Sequence, residues 1–305
     1  MTAAAPPFGV FLLPFAAGRL GVASLSTERL AWGFLLPACA PPLALVLGAI
    51  LAPGAAGPAF VIAAAFVSLP AAALYVTGQG GFRRDRALLV VFAVTGIGAL
   101  AALLGADVAT GRDPGEVAAA RWAAAVPEML EYYRSSGWGE SSVATVARLF
   151  ELLRVALRDQ LPGIVLAIAM GHAAVVVYGF ARASGIAGAD WIEPSFSRFR
   201  TPLAAAALFV PAGLLAALGG PDLRRPAVDV LLPLAVLFFL RGLAIIRALL
   251  DRGRAGLLGR TLVYALVFQM PFPFLLALGG LFDEFVDVRA RLDRMPPAEV
   301  GPPDF

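Results

Sequence analysis

Residues 228–250 read VDVLLPLAVLFFLRGLAIIRALL. Only Asp229, Arg241 and Arg247 carry charge in this run. A helix needs about 20 apolar residues to cross the roughly 30 Å hydrocarbon core of a bilayer. A helix that is apolar on every side needs apolar surroundings on every side. The run therefore reads as a transmembrane helix.

Runs of the same kind flank it at 161–181, 202–218 and 262–281. Others lie upstream at 30–52, 58–77 and 87–105, with a weaker one at 8–25 that holds Pro14 and Arg19. The fold class expected is all-α, a polytopic transmembrane helix bundle of seven or eight spans. It forms one integral membrane domain over 1–295, followed by a disordered, proline-rich tail at 296–305.

Composition agrees. The chain is 60% hydrophobic and 15% charged, with a mean hydropathy of +0.82, whereas soluble domains have about 25% charged residues. That balance excludes a cytosolic enzyme, a nucleic-acid binder and a disordered chain. The net charge of +3 sits in loops and reads as topology signal, not as a nucleic-acid footprint. All basic residues are arginine, and lysine and asparagine are absent. Both have AT-rich codons, so a GC-rich bacterial genome accounts for the bias. Without lysine, Schiff-base and lysine-base chemistry are excluded. Cys39 is the only cysteine, so no internal disulfide forms. No positive charge precedes Arg19, which is unlike a cleaved signal peptide.

One interruption breaks the apolar pattern. Residues 114–160 mix apolar and charged side chains. Val143, Val146, Phe150, Leu153 and Leu157 recur at steps of three and four, with Arg148, Glu151, Arg154 and Arg158 pointing elsewhere. Gly137 and Gly139 separate this helix from an earlier one carrying Trp122, Val126, Met129 and Tyr133 on one face. An amphipathic helical connector is expected, lying at the membrane interface or packed on the bundle. Arginines cluster near 83–86, 198–200 and 247–260, which assigns those loops to the cytoplasm of a bacterial inner membrane.

Few residues could carry chemistry. His172 is the only histidine and lies within a span. Two readings stand for it, a neutral interhelical hydrogen bond and a ligand or proton role. Arg241 lies about nine residues, roughly 14 Å, from the end of its run. Structural pairing and binding of an anionic ligand are both open to it. At the end of the last span Gly279 and Gly280 should loosen the helix, and Asp283, Asp287, Arg291 and Arg294 share one face. With Arg289 they read as a helix-end charge network. A divalent cation or paired catalytic carboxylates are the alternatives. A single histidine and a single cysteine leave no multi-histidine or cysteine-cluster metal site, and no cofactor motif is present.

These late segments resemble the YybS-like family of bacterial multi-pass membrane proteins. The features are the Leu161-Pro162 opening of a span, R-T-P-L at 200–203, R-G-L-A-I-I-R-A-L-L at 241–250 and G-L-F-D-E-F-V-D-V-R-A-R at 280–291. S-L-P-A-A-A-L at 68–74 also fits. Departures are the histidine at 172, in a span where the family usually shows an asparagine, and Val288 where an aromatic often stands. The resemblance implies fold similarity to the membrane substrate-binding components of energy-coupling-factor transporters. The function expected is thus non-enzymatic binding of a small polar or anionic ligand, with His172 and Arg241 as contacts. The alternatives are a scaffold that docks a membrane-protein partner through 114–160, and an intramembrane enzyme using Asp283 and Asp287.

Overall fold

The computed structural model describes residues 73, 84–179, 196–253, 255–288 and 290–291. The expected spans at 8–25, 30–52 and, apart from Ala73, 58–77, together with Arg289, Arg294 and the tail at 296–305, lie outside the described residues. Regular structure among the described residues is entirely helical. Helix α1 is Arg84–Thr110, α2 Pro114–Ser135, α3 Glu140–Ala174, α4 Leu203–Leu218, α5 Pro221–Arg252, α6 Leu257–Val267 and α7 Phe272–Val286. A π-helical turn, Val175–Gly179, extends α3, and a 3₁₀ turn, Phe196–Arg198, precedes α4.

Among the described residues, three stretches are long and apolar enough to cross a membrane: Asp85–Val108, Glu140–Tyr178 and Pro221–Arg252. A fourth exists if α6 and α7 count as one broken span. Helix α4 is apolar but has only 16 residues, roughly 24 Å.

Two boundaries differ from expectation. The second half of the connector and the span at 161–181 form one helix, α3, bent at Gln160 where φ is −132° and ψ 22°. Pro162 explains the bend. It donates no hydrogen bond and its ring crowds the preceding turn. The expected span at 262–281 is also broken, because α6 and α7 meet at 98°. Met270, in the break, precedes Pro271, and a residue before proline avoids the helical region.

Helix α5 is the hub. It packs on α3, α4, α7 and the 3₁₀ turn, and contains Pro226 and Pro233. Phe238 and Leu237 are buried in the main core with Val176 and Val177 of the α3 extension, Leu88 and Val91 of α1, and Phe199. Close helix approach is built from glycines. A Cβ on Gly242 would lie 2.2 Å from the Leu276 carbonyl oxygen, and one on Gly280 would lie 2.0 Å from that of Phe238. Residues 276 and 280 thus run opposite to 242 and 238, so α7 is antiparallel to α5. Gly279 and Gly280 do not loosen α7, which continues through both. Gly280 lets two backbones touch.

Gly280→Ala should therefore lower stability by about 1–3 kcal/mol, the usual cost of overpacking. Gly279 faces open space, so Gly279→Ala should be neutral or stabilising by up to about 1 kcal/mol through helix propensity. Thermal unfolding of the two variants in one detergent compares them directly. Equal midpoints would contradict the assigned contact.

Candidate functional site

Among the described residues, two hydrogen-bonded polar groups that join several helices are built on α5. The first surrounds Arg241, whose side chain is 6% exposed. Helical side chains lean toward the N-terminus of their helix, which carries the guanidinium from Arg241 toward the end of antiparallel α7. Its Nε donates to Asp283 Oδ2 at 2.8 Å and its Nη2 to the Asp283 carbonyl oxygen at 3.0 Å. Nη1 donates to Thr201 Oγ1 at 2.5 Å and also ion-pairs with Glu284. The Thr201 hydroxyl in turn donates to Glu284 Oε2 at 2.7 Å. The other Asp283 oxygen accepts the Val288 backbone N–H at 2.8 Å.

The three ions removed from water, Arg241, Asp283 and Glu284, each carry a desolvation penalty of several kcal/mol, which only dense hydrogen bonding offsets. That density is present here. The group joins three segments: the approach to α4, the middle of α5 and the end of α7.

Asp287 does not share the face of Asp283. It caps α7 in the left-handed region, with φ 44° and ψ 60°. The helix therefore stops at Val286, and the four-residue spacing no longer places the two carboxylates together. Asp287 Oδ2 instead accepts from Arg200 at 3.4 Å, and its Oδ1 accepts the Ala290 N–H at 3.3 Å. The Arg291 backbone N–H donates to the Asp287 carbonyl at 3.3 Å.

The second group lies near the start of α5. Gly163 follows the α3 bend, and a Cβ there would lie 2.6 Å from Asp229 Cα. Asp229 Oδ1 accepts the Gly163 N–H at 2.9 Å, one of the donors that the bend at Gln160 and Pro162 exposes. The Gln160 amide nitrogen, oriented to satisfy its neighbours, donates to the same oxygen at 3.0 Å. Arg225 pairs with Asp159 at 3.0 Å. Around these residues opens a cleft of about 300 Å³, with Leu103, Leu104 and Asp107 from α1, Asp113 to Gly115 at the start of α2, and Arg158 on its walls. Asp113 caps α2 by accepting from Gly115 N at 2.7 Å. Among the described residues no three acidic, histidine or cysteine side chains are placed to hold a metal ion.

His172 is buried at 4% exposure on α3 and takes no part in the bonds just described for either group. The connector forms a helical hairpin of α2 and the first half of α3. Trp122 Nε1 donates to the Phe150 carbonyl at 2.9 Å, and the Trp122 and Phe150 rings meet edge to face at 5.3 Å. Val143 is buried on the expected stripe, whereas Leu153 is 39% exposed.

Sequence reasoning separated Arg241 from Asp283 and missed Thr201, Glu284, Gly163 and Asp229. Asp229 is the lone acid of the 228–250 run, so the argument from intramembrane charge that singled out Arg241 applies equally to it. Thr201 carries no such signal.

A family of predicted membrane proteins, DUF2232, matches residues 28–284. The chain belongs to that family and is a multi-pass membrane protein. No curated protein and no solved structure matches it.

Arg241→Met should destabilise the protein by about 3–5 kcal/mol, because two buried carboxylates lose their counter-charge. Adding Asp283→Leu and Glu284→Gln should recover most of that loss. Folded fraction after heating in detergent, followed by size exclusion, measures both. An Arg241→Met protein as stable as the parent would show that the ion pairs carry no structural load.

Proposed function

We propose that this chain is a non-catalytic bacterial inner-membrane protein of seven or eight spans that binds or transports a small polar molecule. In this it would be similar to the transporter substrate-binding components that the YybS-like resemblance implies. The cleft between α1, α2, α3 and α5 is the observation that carries this reading. Its volume of about 300 Å³ is at the lower end of small-molecule pockets, which run about 300–1,000 Å³. Leucines and prolines form much of its wall, and carboxylates and guanidiniums of both signs face it. Such a lining suits a compact polar ligand, with charged groups fixing its orientation.

Of the two roles open to Arg241, we assign it structural pairing, since its three nitrogens already donate to Asp283, Thr201 and Glu284. His172 is nine residues beyond Gly163 on α3, roughly 14 Å along the helix. A ligand seated in the cleft does not reach that depth, and we assign His172 an interhelical role.

One observation favours a second reading, a scaffold that docks a partner. The outer face of the α2–α3 hairpin exposes Leu149 (58%) and Leu152 (66%) beside Leu153. Leu152→Glu should then release a co-purifying protein while the bundle keeps its thermal stability.

Leu104 lines the cleft and is 67% exposed, so a larger side chain fits there without disturbing the core. Leu104→Trp should lower retention of a co-purifying small molecule by about tenfold, equivalent to about 1.4 kcal/mol. Mass spectrometry of protein purified in mild detergent measures it. Unchanged retention would remove the cleft as the binding site.

A further inference from the structure

Helix α6 has its polarity arranged opposite to that of a helix facing water. Its protein side carries Arg260, Val263, Tyr264 and Val267, of which Val267 is buried and the others half-buried. Its outer side carries Leu258, Leu262 and Leu266 at steps of four, 88%, 71% and 45% exposed. No charged residue interrupts that row.

The roll of the helix is fixed. Asp251, in the last turn of α5, pairs with Arg247 at 2.9 Å through one oxygen and with Arg260 at 3.0 Å through the other. Arg260 Nε also donates to the Ala255 carbonyl at 2.9 Å. This bracket turns Arg260 toward α5 and so turns the leucines away. The direction of the helix is fixed too. Helix α7 packs antiparallel on α5, and α6 meets α7 at 98°, so α6 runs across the bundle axis where α5 ends.

We propose that α6 is an interfacial helix lying in the plane of the membrane, its Leu258, Leu262 and Leu266 face inserted among lipid acyl chains. Helices α1, α3 and α5 are long and apolar enough to cross a bilayer, α6 follows directly on the end of α5, and exposing such a leucine row to water is unfavourable by roughly 25 cal/mol per Å². The 262–281 span is then supplied by α7 alone, with α6 an interfacial helix leading into it.

Site-directed spin labelling tests this. Leu262→Cys and, separately, Leu258→Cys are labelled in a Cys39→Ala background. The protein is reconstituted into vesicles of phosphatidylcholine and phosphatidylglycerol. Labels at the interface should collide more often with dissolved oxygen than with a water-soluble nickel chelate. A Ser135→Cys label on exposed α2 should show the reverse. Labels at 258 and 262 that behave like the one at 135 would overturn the proposal in favour of a water-facing helix. Labels shielded from both reagents would overturn it in favour of a covering protein segment or a second copy. Parent-like elution on size exclusion selects the folded variants for measurement.

Discussion

The ion-paired group around Arg241 is the constraint that the inner half of the bundle obeys. A guanidinium inside an apolar bundle is tolerated only where neighbouring groups occupy its donors. Satisfying those donors requires three segments at one point. The approach to α4 must bring Thr201, and α7 must end where Asp283 and Glu284 face α5. The close backbone contact at Gly280 and Gly242 follows from the same demand, because larger residues would hold α7 out of reach. Packing and polar satisfaction therefore specify one arrangement together, which is how cooperative cores avoid alternatives.

The opposite end of α5 solves a related problem with different parts. Pro162 bends α3 and frees the Gly163 N–H, and Asp229 supplies its acceptor. Gln160 and the Arg225–Asp159 pair complete the arrangement. The bend keeps the first half of α3 from lining up with its membrane half, and α2 folds back along it through the Trp122–Phe150 contact. The cleft is what remains between these elements.

Membrane location, helix class and the positions of the long spans were legible because they rest on local composition. The 228–250 run became α5 with added turns, and 87–105 became α1. The ends were less legible, for physical reasons. Whether a proline stops a helix or bends it depends on what accepts or donates nearby. At Gln160 the helix resumes because Asp229 is across from it, and at Met270 it turns through a right angle. The pairing of Arg241 with Asp283 spans 42 residues, beyond any periodicity rule. The four-residue spacing of Asp283 and Asp287 suggested a shared face, but it assumed a helix that the left-handed Asp287 ends. Thr201 and Glu284 became visible only when the helices were placed side by side.

Pro233 lies four residues after Asp229 and eight before Arg241 on α5. Lacking an N–H, it leaves the rung from the Asp229 carbonyl unmade. The rod linking the two polar groups is therefore notched beside the cleft and whole beside the charged group. The backbone of α5 thus lacks a rung between its two polar groups, and its side chains alone hold those groups at a fixed separation there.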